Sequence, residues 1–120
     1  AQCLRVPVSN GHFAAVYVRF AQKPAREEIL SRWAKFSGRP QQLELPSAPR
    51  QFLRYYEEND MPQTRLCRDL EGGMQISLGR LRDDTQYDYK FVGLSHNTLR
   101  GAAGGAVLLA ELLCADGYID

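Results

Sequence analysis

Apolar and polar positions alternate along residues 13–20. Ala14, Val16, Val18 and Phe20 fall on one side, and Phe13, Ala15, Tyr17 and Arg19 on the other. That period of two marks a strand. Cys3-Leu4-Arg5-Val6-Pro7-Val8 reads as extended from its first residue, and Ser9-Asn10-Gly11-His12 between the two runs carries turn chemistry, Asn-Gly accepting positive φ. A β-hairpin is predicted. The period then changes: Ile29, Trp33 and Phe36 recur at helical spacing, with Leu30 widening the stripe. Pro24 opens this helix where a missing N–H costs nothing, Glu27 and Glu28 complement its N-terminal dipole, and Gly38 and Pro40 end it. Residues 39–50 hold three prolines and no period, which predicts a loop. Phe52 to Tyr56 reads as a short strand. Glu57 to Gly73 is polar, contains Pro62 and Gly72-Gly73, and predicts a long surface connection. Met74 to Leu78 alternates again, with Gly79 as a bulge. Asp83-Asp84 marks a turn, and Tyr87, Tyr89 and Phe91 alternate with Asp88, Lys90 and Val92, completing a second hairpin. A helix is predicted from Thr98 to Ala115, with Leu99, Ala102, Ala103, Ala106, Ala110 and Leu113 on one stripe. Gly104-Gly105 inside it costs up to about 1 kcal/mol per glycine relative to alanine, which predicts a close contact to offset the loss. The order β-β-α-β-β-β-α specifies an α+β domain: a mixed, largely antiparallel sheet with helices on one face.

Composition narrows the function. The chain has 120 residues, 44% hydrophobic and 24% charged, which suits one small domain or part of a larger one and is too apolar for disorder. Fifteen basic against fourteen acidic residues leave a net charge of +1, so no nucleic-acid partner is expected. The longest run of small and apolar residues, Gly101 to Ala110, has ten members, half of the roughly twenty that span a bilayer. No membrane partner is expected. A polar turn at Ser9 to His12 stands where the apolar region of a signal peptide would lie, so none is expected either. Cys3, Cys67 and Cys114 are odd in number and match no zinc spacing, which predicts free thiols in the reducing cytoplasm. His12 and His96 are the only histidines, and with no clustered ligands no metal site is predicted.

Three features carry candidate chemistry. Arg5 and His12 lie seven positions apart across the first bend. A guanidinium clamps a carboxylate through two parallel hydrogen bonds, and an imidazole exchanges protons near neutrality. The same residues also read as a surface strand arginine and a turn histidine. The second feature is Ser95-His96-Asn97-Thr98-Leu99-Arg100-Gly101-Ala102-Ala103, where a strand ends, a polar turn follows and a helix starts with small residues. Its free N–H groups suit an anion or amide, and the bare backbone at Gly101 admits a ligand. Asn97 also reads as a helix N-cap, and both readings hold together. The third, Gly79-Arg80-Leu81-Arg82, places cations at alternate positions of a strand, facing anions, solvent or acids such as Asp83 and Asp84.

Taken in order, Arg5-Val6-Pro7-Val8 with Gly11-His12, Asp60-Met61-Pro62-Gln63-Thr64-Arg65, Gly73-Met74 through Gly79-Arg80-Leu81-Arg82, and Asn97-Thr98-Leu99-Arg100-Gly101-Ala102-Ala103-Gly104-Gly105 running into Ala110-Glu111-Leu112-Leu113 resemble the C-terminal part of the aspartate-β-semialdehyde dehydrogenase family, in its archaeal and fungal branch. The resemblance covers nearly the whole chain. It implies the catalytic domain shared with glyceraldehyde-3-phosphate dehydrogenase-like enzymes. Residues 1–96 would be a portion of the catalytic and dimerisation domain, and residues 97–120 a C-terminal helix that packs on a Rossmann cofactor domain missing here.

The resemblance also implies a reaction. The family reduces L-β-aspartyl phosphate to L-aspartate-β-semialdehyde with NADPH through a cysteine thioester, an early step toward lysine, threonine, methionine and isoleucine. By resemblance, Arg5 holds the substrate α-carboxylate, His12 is the catalytic acid/base, and Asn97, with Gly101 close by, binds NADP near its nicotinamide. The implied partners are a small-molecule substrate, a second copy of the chain in a homo-oligomer and the missing N-terminal half, with the strands at 13–20 and 74–92 as the self-association surface. None of the three cysteines has the context of the family's nucleophile, and no Gly-rich dinucleotide turn is present. The chain alone is therefore expected to be inactive. The alternative of another class is a non-catalytic binding or dimerisation module on the same fold.

Overall fold

The computed structural model describes residues 1–4 and 6–119. The elements are β1 (Gln2–Leu4), β2 (His12–Val18), α1 (Arg26–Ala34), α2 (Arg39–Gln42), β3 (Leu53–Tyr56), α3 (Thr64–Cys67), a 3₁₀ turn (Leu70–Gly73), β4 (Ile76–Asp83), β5 (Tyr89–Ser95), a π turn (Leu99–Ala103) and α4 (Gly104–Ala115). The strands form one sheet in the order β1-β2-β5-β4-β3. Three of its ladders are antiparallel, and β3 runs parallel to β4. The class is the expected one, α+β with a mixed, largely antiparallel sheet.

Register decides what shares a face. His12, Ala14, Val16 and Val18 stand opposite Ser95, Gly93, Phe91 and Tyr89, and directly opposed residues lie on one side of a sheet. The amphipathic helix α1 covers the Val18 and Tyr89 end of that side. Ile29, Leu81 and Tyr89 are its buried centre, with Val18, Trp33, Tyr55 and Phe91 packed around them. Trp33 meets Phe91 edge-on at 5.0 Å between ring centroids. Pro24 does not open α1. It lies two residues before the first helical residue, and its carbonyl accepts the Tyr89 hydroxyl at 2.8 Å, which seats the helix on the sheet.

Two stretches read as irregular contain structure. Within 39–50, Pro40 stands in the first turn of α2, and the Gly38 N–H is accepted by Gln41 Oε1 at 3.0 Å. A proline that halts one helix is equally fit to begin the next, since first-turn N–H groups have no helical partner. The polar segment 57–73 is the crossover that parallel β3 and β4 require, and it covers the second face of the sheet. Pro62, Cys67 and Gly73 are buried in it. Its hydrophobic signal is faint because a four-residue helix buries only one or two side chains.

The bulge expected at Gly79 is present as a register shift between Gly79 and Arg82, with Arg80 at φ +60°. β4 continues through it to Asp83. Arg80 donates to the Asn59 carbonyl at 2.9 Å, while Asp83 and Asp84 pair with Lys23 and Lys90. The Lys90 ammonium, with the N–H groups of Gln86 and Tyr87, lowers the Asp84 carboxyl to about 2. A Cβ at Gly79 would lie 2.5 Å from the Met61 carbonyl oxygen and 2.8 Å from Pro62 Cδ. Backbone cannot swing aside as a side chain does, so Gly79→Ala is expected to destabilise the fold by about 1–3 kcal/mol. A urea midpoint unchanged by the substitution would contradict this approach.

The final helix begins as a π turn at Leu99. The close contact expected at its glycines is with the chain's own Met74: a Cβ at Gly104 would sit 2.7 Å from Met74 Sδ, and one at Gly105 would sit 2.7 Å from the Arg100 carbonyl oxygen. Glu111 accepts the Ser47 N–H at 2.9 Å and its hydroxyl at 2.7 Å, and Arg39 pairs with Asp116. These bonds hold α4 by its polar side and leave Ala102, Ala103, Ala106, Val107, Leu109 and Ala110 exposed.

Candidate functional site

β5 ends and β2 begins at the same edge of the sheet, with Ser95 opposite His12. Ahead of His12 the chain turns through Gly11, buried and at φ +103°. A Cβ there would come within 3.1 Å of Thr64 Cγ2 and 3.3 Å of Leu94 Cδ1, so both the dihedral and the packing call for glycine. The Gly11 N–H donates to Asn97 Oδ1 at 3.0 Å. His12, the first residue of β2, is exposed, and an exposed imidazole is free to exchange protons with a bound molecule.

Of the residues singled out in the sequence, Asn97 is brought to Gly11, the neighbour of His12, and Gly101 to the carbonyl of His96, to which its N–H donates at 3.0 Å. Arg5 lies outside the described residues. The Gly11 N–H requires an acceptor, so the carboxamide oxygen of Asn97 faces it and both donors of its Nδ2 point elsewhere. Gly101 is exposed, and a Cβ on it would touch only the His96 carbonyl oxygen, at 3.4 Å.

Asn97 is not the helix cap. That position belongs to His96, 4% exposed, whose Nδ1 accepts the N–H groups of Thr98 at 3.2 Å and Leu99 at 3.1 Å. Imidazole is not among the side chains that usually cap helices, so the pattern Ser-His-Asn-Thr directs attention to Asn97. Thr64 stands in the Asp60–Arg65 motif without a task assigned to it there; its contact with Gly11 is visible only once the crossover has folded onto the sheet. Cys67 is buried against Tyr56, whose hydroxyl is held above the ordinary tyrosine range by burial and by its hydrogen bond with that thiol. Cys114 is exposed on α4. An apolar cleft of about 400 Å³ lined by Val18, Pro24, Ile29, Trp33 and Phe91 opens at the other end of β2, about 20 Å from His12 at the rise of an antiparallel strand. Among the described residues no three His, Cys, Asp or Glu side chains gather as metal ligands, and no helix is long and apolar enough to cross a membrane.

This sheet recurs in known proteins. Residues 1–100 match the family described as semialdehyde dehydrogenase, dimerisation domain. The aspartate-semialdehyde dehydrogenase of Aspergillus fumigatus is 41% identical over 99% of this chain and 34% of its own length. The malonyl CoA reductase (NADP) of Metallosphaera sedula is 38% identical over 97% of the chain and 33% of its own. The crystal structure of the Candida albicans aspartate semialdehyde dehydrogenase with NADP superposes on 96% of the chain and 33% of its own, with a TM-score of 0.85 and 41% identity. The chain thus spans about a third of the length of each of these relatives. With agreement over five-sixths of its sequence and nearly all of its backbone, the chain belongs to the semialdehyde dehydrogenase family and carries that family's dimerisation domain.

Proposed function

We propose that this chain is the dimerisation-domain portion of a reductase that converts L-β-aspartyl phosphate to L-aspartate-β-semialdehyde and phosphate with NADPH. In this reading His12 is the acid/base, Arg5 clamps the substrate α-carboxylate, and Asn97 with the backbone at Gly101 holds the cofactor. The observation that supports it best is the 3.0 Å bond from the Gly11 N–H to Asn97. It ties the cofactor candidate to the residue before the proton-transfer candidate, from segments 86 positions apart in the chain. The residues present suit an amide-bearing cofactor: Asn97 has two donors directed away from Gly11, and Gly101 leaves backbone uncovered. When bound, NADPH supplies the hydride.

The chain's own residues have defined tasks. His12 takes the proton of an attacking thiol and returns a proton to the carbonyl oxygen as hydride arrives. Arg5 fixes the α-carboxylate, so the reacting carbonyl presents one orientation. The thiol belongs to polypeptide outside these 120 residues, since none of Cys3, Cys67 and Cys114 has the sequence context of the family's nucleophile. The open stripe of α4 docks on the cofactor-binding part of the same polypeptide, the strands at 13–20 and 74–92 meet a second copy, and the assembly works in the cytoplasm.

The test is an assay of the full-length polypeptide that carries this segment. NADPH is expected to be oxidised with β-aspartyl phosphate and not with malonyl-CoA, and the 120-residue chain alone is expected to be inactive. Turnover of malonyl-CoA alone would replace the acyl phosphate by an acyl thioester, the substrate type named for the Metallosphaera relative. Turnover of neither would favour a non-catalytic dimerisation module.

A further inference from the structure

We propose that His96 is a positioning residue for the candidate site, holding the helix start by its Nδ1 so that Asn97 is left to grip Gly11 beside His12. This inference rests on the site assignment above, but its geometry stands by itself. His96 is buried, and its side chain bonds none of the groups given a chemical task. Its Nδ1 receives the N–H groups of Thr98 and Leu99, and the Thr98 hydroxyl lies 3.2 Å away. A ring nitrogen that accepts two backbone donors carries no proton, so the proton resides on Nε2. Nε2 stands 3.7 Å from Asp69 Oδ1, beyond hydrogen-bond distance.

Asn97 is the residue after His96, and its Oδ1 receives the Gly11 N–H at 3.0 Å, which ties the helix start to the turn before His12. A helix start held by the His96 ring therefore holds Asn97 against that turn. Gly73, at φ +78°, lets the crossover pass this close: a Cβ on it would fall 2.5 Å from Leu99 Cδ1 and 3.4 Å from the His96 ring.

The experiment uses the full-length polypeptide and compares His96→Ala with His96→Asn, whose Oδ1 takes the place of Nδ1. Amide hydrogen exchange is followed at Gly11, at Thr98 and Leu99, and in the β4–β5 hairpin as a control. His96→Ala is expected to speed exchange at Thr98, Leu99 and Gly11 together by about five- to tenfold, the factor a lost helix cap is worth, while the hairpin is unchanged. His96→Asn is expected to restore all three. Faster exchange at Thr98 and Leu99 with Gly11 unchanged would reduce His96 to a local cap and overturn the proposal. If His96→Ala unfolds the hairpin as well, the Asn variant decides: native protection at Gly11 supports the proposal, and lost protection there overturns it. A ¹⁵N-histidine spectrum adds a signature that a packing role would not set, an unprotonated Nδ1 and a protonated Nε2 at residue 96, and the opposite tautomer would refute the assignment. None of these readouts needs turnover. A full-length polypeptide inactive with β-aspartyl phosphate yet protected at Gly11 would sink the proposed reaction and leave this inference standing.

Discussion

Replacing His12 by Gln in the full-length polypeptide is expected to lower turnover on the order of 10²–10⁴-fold, the contribution of a positioned acid/base, and to leave its melting temperature where it was. The asymmetry follows from placement. His12 is the first residue of β2 and is exposed, so its ring contributes little to the core. Its backbone partner across the sheet is Ser95, and that ladder does not depend on the side chain. A glutamine keeps the size and polarity of the residue and removes only the ability to exchange a proton. The expected signature is a fall in kcat with KM for NADPH nearly constant, which separates proton transfer from cofactor binding. Steady-state kinetics with a parallel thermal melt read both. A loss smaller than about tenfold would remove His12 from the chemistry, and an equal loss of stability would make it a structural residue.

The 120-residue chain by itself is expected to associate in solution. Its Cα radius of gyration is 15.5 Å, against about 13.6 Å for a compact domain of this length. The accessible surface of 7944 Å² exceeds by roughly 1,400 Å² the area that a monomer of this mass exposes. The excess is larger than the ~800 Å² each partner contributes to a standard protein interface. Part of it is the outer face of α4, where Val107 and Leu109 are 51% and 56% exposed beside a row of alanines, and a continuous apolar patch of this kind marks a contact surface. Sedimentation velocity is expected to show species heavier than the 13.6 kDa monomer. The double variant Val107→Glu, Leu109→Glu should shift the distribution toward the monomer by charging that stripe. Persistent association of the double variant would assign the contact to the sheet instead. A sharp 13.6 kDa species with a high melting temperature would show that nothing is missing from the fold.

Legibility followed the length of the element. β2, α1, β5 and α4 bury whole faces, so their periods of two and 3.6 are written in the order of residues, and the bulge at Gly79 and the turn before His12 had glycine chemistry to mark them. α2, α3 and the 3₁₀ turn are too short for a period, so the segments holding them looked like loops. The same difference runs through the site. His12 and Asn97 are visible as residue types beside turns. The burial of His96 is not, because it depends on the crossover segment closing over the ring at Gly73. Cys67, read as part of a polar surface connection, is among the least exposed residues at 1%, since the crossover folds back over Tyr56.

What the order of residues determined by itself is the class of fold, the strand and helix content, and a set of candidate groups whose chemistry is intrinsic to them: an imidazole at a turn, a carboxamide before a helix, a bare backbone at Gly101. Only the tertiary structure decided which of these share a place. Local pattern records a residue's own neighbours within a few positions. The bond between Gly11 and Asn97 spans 86 positions and exists because antiparallel β2 and β5 set His12 opposite Ser95.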